Sequence, residues 1–212
     1  MTVPTPPGRP RDERRAAAGS DPGVDVAVSL GAGRLPCAMG ILHTYEATLT
    51  WTGARGTGTT GYTAYGREHE VAFDGKPPIL GSADPAFRGD PGRHTPEELL
   101  VAALAQCHML WFLHLASAAG VVVVGYTDSA QGRMRVEAAG HGQFIDVVLR
   151  PCVTLARAEH ADGRPVTDED LATLHARARE HCFIARSVNF PVRHDPAPLR
   201  VERSGGAATI AR

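Results

Sequence analysis

"HTPEELLVAALAQCHMLWFLHLASAAG", His94 to Gly120, is the stretch on which the fold turns. From Leu99 onward it holds no Asp, Glu, Lys or Arg, yet Cys107 sits at its centre. Its start reads as a helix N-terminus. Thr95 suits the N-cap, Pro96 the first helical position, and Glu97 and Glu98 the positive end of the helix dipole. Gly120 is a natural stop. The pattern predicts a helix over about 95–119. The apolar run reaches Val124, long enough to span a bilayer. However, Gln106, Cys107, His108, His114 and Ser117 interrupt it, and it crosses Gly120 into "VVVV", which prefers strand. No membrane association is expected. A helix apolar nearly all round is instead buried in a core. In a chain this small, a second helix and a sheet can cover part of it, and a second subunit the rest.

Working outward, the segments on either side read mainly as strands. "HTYEATLTW" alternates, with Tyr45, Ala47, Leu49 and Trp51 on one face, as in a half-buried strand. "GARGTG" is a turn around Arg55. "TGYTAYG" and "REHEVAF" are expected as further strands of a meander, and "DGKPPILGSADPAFRGDPGRH" as a long Pro/Gly loop of the kind that lines sites. After the helix, "VVVVGYTDSAQGRMRVEA" and "GQFIDVVLRPCVTLARAE" predict two long strands joined at "AGHG". "TDEDLATLHARAREHC" predicts a second helix. Thr167 and Asp170 stand at capping-box spacing, and Leu171, Leu174, Ala178 and Cys182 fall on one face. "PLRVER" closes the pattern as a last strand. This is an α+β chain with two core helices and a largely antiparallel sheet.

Composition narrows the function classes. The 212 residues are 43% hydrophobic and 21% charged, as in a globular protein. A net charge of −1 offers no footprint for phosphates, so nucleic acid is not expected as a partner. Residues 1–38 are rich in Pro, Gly and Arg without apolar periodicity. They predict a disordered extension, with a single domain over 39–212 and a natural start at Met39. They contain no apolar signal core, so a cytoplasmic location is expected. The four cysteines, at 37, 107, 152 and 182, form no C-x-x-C pair and suggest no disulfide scaffold. On residues alone, Cys107 and Cys182 fit small core hydrophobes better than reactive thiols. Cys152, in "VVLRPCVTLA", fits only the former. His108, His114 and His181 suggest satisfied or exposed side chains. His108 lies 100° round the helix from Cys107 and cannot readily serve it as a base, which argues against a cysteine hydrolase.

"TPEELLVAALAQC" resembles the N-P-E-x-L…A-x-C signature of the OsmC/Ohr family of thiol peroxidases. "EHCFIARSVNFPV" resembles the region of that family's second cysteine, and "TYEATLTWTGARGTG" its first strand and arginine turn. The match runs in order from about 41 to 203 and is nearest the OsmC-like branch. The resemblance implies an intertwined α+β homodimer that reduces organic hydroperoxides, and possibly H2O2, with two cysteines. It needs no metal or organic cofactor and is recycled by a dithiol. By position it implies Cys107 as the peroxide-attacking cysteine, Cys182 as the resolving one, Glu97 as the family's glutamate and Arg55 as its arginine, with Arg67 close by as the rival. Thr95 stands where Asn is usual, Phe183 where Pro is usual, and Arg186 near a usual Asn.

The chemistry is coherent from below. Only a thiolate attacks a peroxide, and a thiol of pKa about 8.5 is roughly 3% ionised at pH 7. Burial alone lowers that fraction, so a thiol on an apolar helix needs a cation beside it. An arginine held by a carboxylate suits that role. Glu97 and Cys107 are ten residues apart, about 15 Å along one straight helix and on different faces, so they cannot meet within it. A two-fold crossing of two chains would bring them together. Leu104, Trp111, Phe112 and Phe87 would then form apolar walls that favour organic hydroperoxides. The non-enzymatic alternative is a redox-sensing or small-molecule-binding dimer.

Overall fold

The computed structural model describes residues 41–138, 140–160 and 162–202; the expected extension over 1–38 lies outside the described residues, as does Cys37. The first long helix, α1, runs Pro96–Ala118 without a break. Thr95 Oγ1 accepts the Glu98 amide at 3.2 Å and Glu98 accepts the Thr95 amide at 2.9 Å, so two amides left over by the helix start are satisfied reciprocally. At the far end Gly120 takes φ +70°. Its amide donates to Ser117 O at 3.1 Å and that of Val121 to Ala116 O at 2.9 Å, which closes the last turn. The second helix, α2, runs Asp168–His181 and opens on the expected Thr167–Asp170 box, at 3.1 and 2.9 Å.

The buried positions of α1 are Leu104, His108, Phe112, Leu115 and Ala116, a single stripe. That stripe packs on α2 and on the sheets, which makes α1 a core helix although its length and composition alone would let it cross a membrane. Cover stops there: Leu110 on the other side is 62% exposed, against the expectation of burial all round. One part of the core gathers Phe112, Val153, Leu155, Leu171 and Leu174; another gathers Leu104, Val147, Leu149 and Val192.

Among the described residues, nine strands make three small sheets. β1 (Thr48–Trp51), β2 (His69–Ala72) and β3 (Ile79–Gly81) form an antiparallel meander. "TGYTAYG" is a run of turns instead of a strand. The cause is local: the Arg67 guanidinium donates to Tyr65 O at 2.6 Å and Tyr62 O at 3.0 Å and lies over both rings. The expected long loop contains β3, which fills the open edge of β2, and a 3-10 turn at Pro85–Phe87. β1 is exposed on both faces, Leu49 at 68%, because no element among the described residues stacks on it.

The long hairpin after α1 is present but broken in both arms, into β4 (Val123–Asp128) with β5 (Gln131–Val136), and β6 (Gly142–Leu149) with β7 (Pro151–Leu155). At the break the Asp128 carboxylate accepts the Arg150 amide at 2.7 Å, so a side chain takes a place in the ladder, and Pro151 follows without an amide to give. The halves join separate sheets. β8 (Val192–His194) pairs parallel to β6, and β9 (Arg200–Val201) parallel to β7. β9 is the expected last strand, whereas β8 was not foreseen. Asp146 on β6 is buried and receives Arg133 from β5 and Arg193 from β8, tying that sheet across all three strands.

Leu155 is fully buried between β4 and the helices. Leu155→Ala is expected to cost about 2–5 kcal/mol of stability, read as a lower denaturation midpoint in urea.

Candidate active site

Cys107 lies halfway along α1, and Cys182 is the residue on which α2 ends. The crossing of the helices brings the two thiols into contact. Both are free; Cys107 is half-buried and Cys182 buried. Burial pushes the Cys182 thiol up to about 11, and the neighbouring Cys107 thiol adds to the rise. The Ala185 amide donates to Cys182 Sγ at 3.4 Å and offsets part of it.

Trp111 holds this junction. It stands one turn beyond Cys107 on the same side of α1. His181 stacks on it with centroids 4.9 Å apart, and Phe183 meets it edge-on at 5.5 Å. The residues on either side of Cys182 therefore rest on one indole. Of the other expected walls, Leu104 and Phe112 are packed into the core, and Phe87 sits on the exposed 3-10 turn.

Glu97 is in the first turn of α1, ten residues from Cys107 in the same unbroken helix, about 15 Å by helical rise. It lines a cavity of about 710 Å³ with Asp84, Glu98, Asp128 and Gln106, over an apolar floor that includes Val101, Met134 and Phe144. Among the described residues that lining holds four carboxylates and no Lys or Arg. Asp128 Oδ2 has no hydrogen-bond partner there, and burial raises the Asp128 carboxyl above the usual range. Arg55 is not part of this cavity. It occupies a turn at φ +49° and pairs with Glu68 at 2.7 Å. Arg67 is held by the two tyrosines of its own loop. Within one chain, therefore, Cys107 and Cys182 come together, while Glu97, Arg55 and Arg67 do not join them. Cys152 sits on β7 opposite Thr127.

A cluster the sequence did not reveal begins at the residue after Cys107. His108 Nε2 and His175 Nδ1 are 3.0 Å apart, and the His194 ring sits 4.1 Å from that of His108. His175 also stacks on Phe112 at 4.2 Å. Its signal was a polar residue beside Leu174 within the buried face of α2. Burial is the main cause that pulls His108 down to about 3 and His175 and His194 to about 4, followed by the imidazoles' effect on one another and, for His194, by Arg179. All three are neutral at pH 7.

These depressed values set a pH dependence. Unfolded imidazoles take up protons near pH 6.5, whereas the folded ones resist until about 4 or 3. Stability is thus full above pH 6.5 and is lost as the pH falls from there toward 4. The expected result is a urea midpoint lower at pH 5.0 than at pH 7.5, reduced further at pH 4.5. Equal midpoints would mean that the imidazoles charge freely in the folded state.

Residues 89–196, which carry both cysteine-bearing helices, match the family model described as OsmC-like protein. The structure resembles that of an OsmC-like protein of unknown function from Vibrio cholerae, with 34% identity, a TM-score of 0.64, and coverage of 74% of this chain and 100% of that one. An organic hydroperoxide resistance protein from Elizabethkingia anophelis shares the fold at 18% identity and TM-score 0.53, covering 78% of this chain and 100% of its own. The organic hydroperoxide resistance protein OsmC from Legionella pneumophila does so at 17% and 0.53, over 77% and 100%. No curated protein matches the sequence. With the family match spanning both thiols and a third of residues identical along the whole Vibrio chain, this protein belongs to the OsmC-like family.

Proposed function

We propose that the protein is a thiol-dependent peroxidase that acts on organic hydroperoxides as a homodimer. The observation that carries the proposal is the meeting of two free thiols, one half-exposed and one buried, at the crossing of α1 and α2. Cys107 thiolate attacks a peroxide oxygen; the O–O bond breaks, the alcohol leaves with a proton, and Cys107 becomes a sulfenic acid. Cys182 condenses with it, releasing water and forming a disulfide. A dithiol, such as a lipoyl-type reductant, restores both thiols by exchange and is itself oxidised. The free thiols suit the reducing cytoplasm.

The dimer completes what one chain lacks. Glu97 and Cys107 are fixed on a straight helix and cannot meet. Glu97 faces a cavity whose lining carries carboxylates and no cation. The open side of α1 and the exposed apolar residues of β1 need cover. A second copy related by a two-fold axis supplies all three, with its Arg55, still braced by Glu68, brought to the thiolate. The high pKa of Cys182 favours slow closure of the disulfide, which is the one feature that also suits a redox sensor. Repeated turnover with a dithiol separates the two readings, since a sensor oxidises once and recycles slowly.

Cys107→Ser is expected to abolish peroxide reduction, and Cys182→Ser to permit one turnover before stalling or over-oxidising; steady cycling of Cys182→Ser would remove Cys182 from the mechanism. Cys152→Ser should leave the rate unchanged. Mixing Glu97→Ala with Cys107→Ser, each inactive alone, should rebuild one intact site in each mixed dimer. Half of the dimers are then mixed and one site in two works, so activity returns to roughly a quarter of wild type. No recovery despite exchange seen by mass spectrometry would mean that Glu97 does not serve a neighbouring Cys107.

A further inference from the structure

Two buried histidines, His108 of α1 and His175 of α2, and the half-buried His194 of β8 pack together next to the helix crossing. His108 follows Cys107 on α1. His175 precedes Cys182 by two helical turns on α2, so the two share one side of that helix. His108 Nε2 and His175 Nδ1, 3.0 Å apart, form a hydrogen bond that joins the side chains of the two helices. His108 Nδ1 is buried with no partner. A buried N–H without an acceptor is rarer in proteins than a bare lone pair. His108 therefore carries its proton on Nε2 and donates to His175, which accepts at Nδ1 and holds its own proton on Nε2. Behind the pair, His194 from β8 packs on His108, and Phe112 stacks on His175. The charged group that faces the cluster is Arg179 of α2, beside His194; the Cys107 thiol is next along α1, 100° round the helix.

A core built only to be stable would use aliphatic side chains here, since burying imidazoles costs solvation that one hydrogen bond only partly offsets. Aliphatic contacts, however, let helices slide. An N–H···N bond has a direction and a length. A disulfide is demanding in the same way, with Cβ atoms about 3.5–4.5 Å apart, so small shifts of α2 along α1 decide whether it closes.

We propose that the His108–His175 hydrogen bond, backed by His194, is a positioning device that sets the approach of Cys107 and Cys182 and thereby the speed of disulfide closure. The proposal rests on the reading that these thiols pair. The closing step is Cys107 sulfenic acid plus Cys182 thiol giving disulfide and water. With diamide, the same two thiols give the disulfide and the reduced hydrazine, without any need for peroxidase activity.

The test compares His175→Phe, which keeps a ring to stack on Phe112 but removes the acceptor, with His175→Gln, whose amide oxygen can accept from His108. Closure by diamide is followed by alkylation and mass spectrometry, beside the melting temperature. The expected result is closure slowed about fivefold in His175→Phe, the loss of one net hydrogen bond. Its melting temperature should fall by only about 2–4 °C, the same lost bond read in the folded state, with more sulfinic acid at Cys107 after cumene hydroperoxide. His175→Gln should keep the wild-type rate. Wild-type closure in His175→Phe, or equal slowing in both variants, overturns the proposal. If His175→Phe does not fold, nitrogen-15 imidazole spectra of the wild type decide: His108 should be neutral and protonated on Nε2, and its signal should move when diamide closes the disulfide. An unmoved signal overturns the proposal. Closure by diamide but not by peroxide would sink the peroxidase reading and leave this one standing.

Discussion

The packing of α2 across α1 is the contact on which the rest depends. α1 is apolar almost all round and cannot exist uncovered in water, so some part of the chain must lie against it. α2 does so with a narrow face of Leu171, Leu174, His175 and Ala178, and the bent hairpin takes the adjoining side. Because α2 ends at Cys182 just where it passes Cys107, the need to bury an apolar helix also decides where two thiols meet. Trp111 serves both ends at once, as a wall of the core and as the surface on which His181 and Phe183 rest. Stability and chemistry share the same few side chains.

Charge is distributed in keeping with that arrangement. Inside the fold, Asp146 is surrounded by two arginines from neighbouring strands, which hold its carboxyl well below the usual range, the contact with Arg133 being the larger cause. Around the thiols, the buried polar groups are imidazoles, kept neutral by burial. The unmatched charge sits elsewhere, as carboxylates around the cavity at the start of α1. The core is electrically quiet next to the sulfur atoms, and the imbalance lies around that cavity.

The parts of this structure that were legible in the sequence are those governed by neighbours along the chain. Both capping boxes and the Gly120 stop depend on residues within a few positions of each other, and both helices lie where those signals put them. What escaped depends on distant partners. β8 is three residues long, too short to show a period, and exists because β6 offers it an edge. The two breaks in the hairpin come from one carboxylate reaching an amide on the opposite arm. "TGYTAYG" alternates like a strand, but Arg67 binds its carbonyls and closes it into turns. At the site, no spacing connects Cys107 with Cys182; family resemblance singled them out together, and the helix crossing supplies the reason. His175 and His194 were invisible because a packed histidine has no pattern of its own until its partner is seen.

The two parallel pairings have a consequence for the order in which the chain can fold. β6 and β7 receive β8 and β9 from the far side of α2, so residues 192–201 close over a sheet formed much earlier in the sequence. A nascent chain still short of Val192 can form α1 and the bent hairpin, whose contacts are local, but it lacks the strand that carries His194 and the edge that Val192 fills. Packing of His194 on His108 therefore waits until β8 has been made, although both helices are encoded before it. The link between α1 and α2 gains its backing only after the chain has passed both of its cysteine-bearing helices.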